Sequence, residues 1–209
     1  MNSLNLHLIW CTTVFFFILL SCTQNLTGVE TTNGARITVT AESIEGIVPP
    51  FANIEIFGLD YIPLVDSGFK MSTVADEKGA FFIQYIYSHS FNMILTNKDT
   101  TLAVFLPELS EGFSDSVTLR GTGSVSGEVK TRFSNPVLIY IPGTGYHSRL
   151  NSPEKFRLEG IAAGNYTVVA AHFFTARGAI NLQQNRVYRQ TAVHSSSESS
   201  VDTLIIENW

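Results

Sequence analysis

From Ile37 onward the chain holds no stretch in which apolar residues recur at the spacing of an amphipathic helix. Apolar and polar residues alternate over short runs instead, and Gly, Pro, Asn and Asp break those runs. A chain with that period buries one face and wets the other only as a strand. Candidate strands are residues 37–41, 52–58, 80–86, 91–97 and 101–107 in the first half and 123–130, 136–143, 155–161, 166–173 and 202–208 in the second. In "KFRLEGI", Phe156 and Leu158 face one way while Arg157 and Glu159 face the other. An apolar fraction of 44%, with 15 Phe, is enough to build a core of stacked sheets. The expected class is therefore all-β, an antiparallel sandwich architecture.

The two halves resemble each other. "DEKGAFFIQYIYSHSFNMIL" (76–95) lies over "NSPEKFRLEGIAAGNYTVVA" (151–170) at a constant offset. Phe81 then meets Phe156, Ile86 meets Ile161, Phe91 meets Tyr166 and Ile94 meets Val169. Each half closes on a similar strand, "SDSVTL" (114–119) against "SSVDTL" (199–204). A duplicated β unit accounts for this, with a boundary at the turn-forming "RGTGS" (120–124). The expected organisation is residues 36–120 as a degenerate sandwich and 121–209 as a second one.

The second half carries a pattern that resembles the carboxypeptidase regulatory-like domain, a transthyretin-like β-sandwich. The carrying residues are Gly127, then Val137, Ile139 and Ile141, then Phe156, Leu158, Ile161, Gly164 and Tyr166. The resemblance implies that Phe156 and Leu158 pack inward, that Ile161 plugs a turn, that Gly164 supplies a permissive backbone and that Tyr166 re-enters the core. The first half keeps the apolar frame but has His89 where that glycine would stand. The motif concerns core and turns, so it implies a fold and no peptidase activity.

The first twenty residues are of another kind. "LIWCTTVFFFILL" (8–20) carries no charge, is long enough for a signal-peptide core, and falls short of the ~20 residues a membrane-spanning helix needs. It ends in Leu19-Leu20-Ser21-Cys22, which resembles the lipobox of bacterial lipoproteins: an aliphatic residue, a small residue before the cut, then the thiol that takes the lipid. The resemblance implies a leader at residues 1–21, lipidation of Cys22 and a membrane attached through that lipid. The leader departs from the pattern in having no Lys or Arg before its apolar run, and an unlipidated secreted leader or a true span are the alternatives. Residues 22–35, polar and carrying two glycines, read as the lipidated cysteine and a flexible tether. By the same resemblance, Thr23, where an Asp would favour the inner membrane, implies the outer membrane if the host is Gram-negative, at its periplasmic face or at the cell surface.

Little else suggests chemistry. The net charge of −5 and the absence of a Lys- or Arg-rich run exclude nucleic acid as a partner. His89, His147, His172 and His194 stand at no ligand spacing, so no metal is expected, and Asp76 and Glu77 with Gly79 offer too few oxygens for calcium. "PGTGY" (142–146) reads as a turn and lacks the Lys of a phosphate loop, and "HSSSESS" (194–200) reads as a polar loop with no nucleophile elbow. An isopeptide between Lys130 and Asn208 would need a Glu in the strand after Gly164, and "YTVVAA" has none. Residues 174–194 read as strand or loop, with Arg177, Arg186 and Arg189 as a mild contact surface.

One loop combines groups that could face a sugar or a carboxylate: Tyr146, His147 and Arg149, with a solvated hairpin as the plainer reading. No catalytic residue and no cofactor are expected. The expected function is a non-catalytic, membrane-anchored envelope scaffold whose partner is an envelope protein or a polysaccharide. The alternative is a carbohydrate-binding module using exposed aromatics such as Tyr61, Tyr146 and Tyr188.

Overall fold

A computed structural model describes residues 33–65, 68–84, 90–152, 154–176 and 179–206. The leader, Cys22, His89, Arg177 and Asn208 lie outside the described residues. The described residues form strands and no helix; none of them belongs to a helix long and apolar enough to cross a membrane.

In chain order the strands are β1 (Gly34–Val39), β2 (Ser43–Ile47), β3 (Asn53–Gly58), β4 (Lys70–Val74), β5 (Ala80–Gln84), β6 (Phe91–Thr96), β7 (Leu102–Leu109), β8 (Ser114–Thr118) and β9 (Arg120–Gly121). The second half holds β10 (Gly123–Thr131), β11 (Val137–Tyr140), β12 (His147–Leu150), β13 (Lys155–Ile161), β14 (Gly164–Ala176), β15 (Ala179–Val193), β16 (Glu198–Ser200) and β17 (Leu204–Ile206). Two sheets belong to the first half, ordered β5-β2-β1-β8 and β4-β3-β6-β7-β9. Two belong to the second, β13-β10-β16 with β17 also on β10, and β12-β11-β14-β15. The fold is all-β and sandwich-like, as the alternation requires.

Each half encloses its own apolar layer. Ile37, Ile44, Ile54, Ile56, Phe91, Met93 and Leu95, none exposed, fill the first. Val125, Val137, Ile139, Phe156, Leu158, Tyr166 and Val168 fill the second. Phe156, Leu158 and Tyr166 thus take the inward positions that the motif implied. Gly164 carries an ordinary backbone; the left-handed φ nearby, 69°, belongs to Gly160. There the β10–β13 register slips between Gly123 and Val125, so a β-bulge puts the permissive backbone at Gly160, a few residues before Gly164.

Strand pairing repeats between the halves. β3 pairs with β4 and β6, and β6 with β7; β11 pairs with β12 and β14, and β14 with β15. Likewise β2 pairs with β5 as β10 does with β13. Gly46 stands opposite Phe81 and Gly127 opposite Phe156. A Cβ on Gly127 would come within 2.7 Å of the Phe156 ring, and one on Gly46 within 3.0 Å of the Phe81 ring. In both places a phenyl ring lies over a strand glycine. β1 is the addition of the first half, inserted between β2 and β8.

Two expectations need correction. The sandwich is not wholly antiparallel, because β10 pairs in parallel with β16 and β17. The polar segment 194–200 is also not loop throughout: a turn closed by the Ser197 N–H on the His194 carbonyl leads into β16. The chain reaches β10 from the other sheet, and such a crossover delivers a parallel strand where a hairpin would deliver an antiparallel one.

Candidate binding cleft between the halves

Residues 31–209 form one compact unit, and the contact between its halves is built from backbone irregularities. In β7, Pro107 and Glu108 together oppose Asn92 of β6, since the register jumps from Phe91↔Leu109 to Met93↔Leu106. This is a β-bulge, a place that tolerates a proline without its ladder N–H. Glu108 adopts a left-handed φ of 52°, a costly conformation for a residue with a Cβ. Its N–H donates to Asn92 Oδ1 at 3.0 Å.

Asn92, only 7% exposed, then reaches across the junction. Its Nδ2 donates to the Gly143 carbonyl at 2.9 Å, and the Gly143 N–H donates to the Tyr61 carbonyl at 2.8 Å. Gly143 has a φ of 67°, and a Cβ there would collide with the Asn92 amide. Around this link Phe105 stacks on Tyr166 with ring centroids 5.0 Å apart. Ile62 and Val65 pack on Leu138, Tyr140, Val169, Ala171 and Phe173, which point away from the second core.

Beside the link lies an open cleft of about 390 Å³, lined by Leu59, Pro107, Glu108, Asn165, Thr167 and Tyr188 among others. A second hollow of about 520 Å³ shares Asn165, Tyr166 and Thr167 with it and runs along β14 and β15 past Gln190. Cross-strand pairing places Thr167 beside Gln190 and Val169 beside Tyr188 on one face of the sheet. Among the described residues, no Lys or Arg lines either hollow.

The residues singled out from sequence are separated by strand alternation. "PGTGY" is a turn, held by the Thr144 hydroxyl donating to the Ile141 carbonyl at 2.8 Å. His147 and Arg149 follow it on β12 and share one face, opposite Tyr140 and Leu138. Arg149 lies over the Phe173 ring, 5.1 Å from its centroid, and His147 Nδ1 is 2.9 Å from the Gly145 carbonyl. Tyr146 instead turns toward the core: its hydroxyl accepts the Ala162 N–H at 3.1 Å, and its ring meets Tyr166 edge-on. Burial pushes its phenol up to about 12, against a weaker lowering by the Ala162 N–H and a small further rise from Glu55. Burial raises Tyr166 further still, with a Tyr146 contribution, and its hydroxyl donates to the Ala162 carbonyl at 2.8 Å. Tyr61 packs on Phe57 at 5.1 Å, whereas Tyr188 is 53% exposed.

The remaining candidates fall elsewhere. Asp76 Oδ1 accepts the N–H groups of Lys78 and Ala80, both at 2.8 Å, so it caps a turn. His172 is buried in β14, with Nε2 3.0 Å from the Thr131 hydroxyl and Nδ1 3.2 Å from the Asn135 carbonyl. Arg186 and Arg189 are three apart on β15 and so face opposite ways: one reaches the Tyr140 hydroxyl at 3.5 Å, the other the Tyr188 carbonyl at 2.9 Å. Burial raises the Tyr140 phenol, and Arg186 lowers it in part. Lys130 sits 3.5 Å from Glu128 at the surface. Among the described residues no three His, Cys, Asp or Glu cluster as metal ligands would. Asn92, Glu108 and Asn165 had no sequence signal beyond the Pro-Glu pair inside an apolar strand.

No family model matches the chain, and none of the curated proteins does. A solved structure it resembles is GBS52, the minor pilin of the Gram-positive pathogen Streptococcus agalactiae. The identity is 10% over 78% of this chain and 86% of that one, with a TM-score of 0.34. A likeness that weak carries no argument.

Proposed function

We propose that the chain is a non-catalytic envelope lipoprotein in which two β sandwiches, residues 36–120 and 121–209, form one rigid interaction scaffold. The observation that carries this is the buried link through Asn92. Two independent modules on a string would leave the outward face of β6 and β7 wet. Ile94 lies outside the first core and is nevertheless only 2% exposed, and its neighbours on that face, Asn92 and Phe105, bond to Gly143 and pack on Tyr166 of the second half. A junction with a buried amide satisfied on both sides holds one orientation, which suits a spacer or platform.

The anchor rests on the sequence: the apolar leader, Leu-Leu-Ser-Cys and the polar tether support lipid on Cys22. Thr23 supports the outer membrane, and the partner there is another envelope protein. Acyl labelling tests the reading. Cells expressing the full chain and fed labelled palmitate are expected to yield a labelled, membrane-bound protein, and Cys22→Ala an unlabelled one. Label retained by Cys22→Ala, or no label on the wild type, contradicts the anchor.

A further inference from the structure

We propose that the cleft between the halves, with its continuation along β14 and β15, binds an extended neutral glycan. The inference stands apart from the anchor, since it concerns only the folded residues.

The chemistry of the walls selects the ligand. Tyr188 presents a half-exposed ring beside the groove, and an aromatic face suits the C–H face of a sugar ring. Among the described residues, the side chains of Asn165, Thr167 and Gln190 have no hydrogen-bond partner, and the Glu108 carboxylate has no ion-pair partner. Together they offer amide donors, hydroxyls and a strong acceptor, which match a polyol. Without a cation in either lining, a phosphate or carboxylate ligand would bury its charge against Glu108 alone.

The groups behind these are already engaged. Asn92 and Tyr166, which also line the cleft, have their polar atoms bound to Glu108, Gly143 and Ala162. The wall is thus preformed, while the groups facing solvent stay free, a division typical of binding sites. The left-handed Glu108 adds an independent mark. A non-glycine residue in that region persists where the surroundings impose it, and such residues gather at ligand sites. The hollows measure about 390 and 520 Å³ and share three residues, so the groove is longer than one compact ligand needs. A chain of sugars fills such a groove; a lone hexose does not.

Co-sedimentation of the full chain in mild detergent tests this, with cellulose, chitin and insoluble mannan as neutral probes and polygalacturonate as the acidic control. Retention on a neutral polymer, released by its soluble oligosaccharide, is expected. Tyr188→Ala and Asn165→Ala are each expected to weaken retention about tenfold. Glu108→Gly, which suits the left-handed backbone, should keep the fold and also lose retention. Phe82→Ala, an exposed ring on β5 of the other sheet, should bind as the wild type does. Circular dichroism melting confirms that each variant folds. No retention on any neutral polymer overturns the proposal. So does retention on the acidic polymer alone, or retention unchanged in folded Tyr188→Ala and Asn165→Ala.

Discussion

Asn92 illustrates how much one side chain decides in this molecule. Its amide satisfies the part-buried Glu108 N–H and the buried Gly143 carbonyl at once, and losing it leaves the Gly143 carbonyl without that partner. Asn92→Ala is therefore expected to cost about 1–3 kcal/mol, read from urea unfolding. A second effect concerns alkali. The Tyr146 phenol rises to about 12 in the folded chain from an ordinary 10.0. A folded group that holds its proton more tightly stabilises below the unfolded value, and that stability is lost as pH rises from 10 toward 12. The loss is on the order of 2 kcal/mol, and Tyr146→Phe should flatten the pH dependence of stability in that window. Sequence alone does not separate these tyrosines. Tyr61, Tyr146 and Tyr188 look alike as exposed aromatics; the turn after β3 lays the first on Phe57, the turn before β12 aims the second at Tyr166, and β15 leaves the third to solvent.

Among the elements, the strands legible in sequence are those that are dry on at least one face. β13 and the start of β3 show it as alternation, whereas β6 and β11, dry on both faces, show it as short, mostly apolar runs. β4 and β12 are short edge strands without that contrast, and β15, the longest at 15 residues, is polar along most of its length. A strand recruited by hydrogen bonding to a neighbour leaves little trace in hydrophobic pattern. β2 is harder still, because Gly46 interrupts it; the same glycine is what admits Phe81, as Gly127 admits Phe156. Gly127→Ala drives a methyl into Phe156 and Val201 and is expected to cost about 1–3 kcal/mol, seen as a drop of several degrees in Tm. Gly46→Ala should behave alike, since its Cβ meets the Arg36 carbonyl and Phe81.

At the scale of the whole molecule, the junction was hidden for a different reason. Ile94 and Phe105 lie in apolar strands of the first half, yet Ile94 is buried outside the first core and Phe105, half-buried, packs on Tyr166 of the second half. Period-two patterning tells which residues are dry and never what dries them. The offset between the halves was legible as Phe81 over Phe156 and Phe91 over Tyr166, and these pairs do occupy matching inward positions. The cleft was not, since its free polar groups come from β7, β14 and β15, far apart in sequence. Differential scanning calorimetry tests most directly whether the halves act as one body. A single transition, with calorimetric and van't Hoff enthalpies equal, is expected for the wild type, and a split into two for the Asn92→Ala, Phe105→Ala double variant. Two separate transitions in the wild type would contradict a rigid scaffold and leave two modules that merely touch.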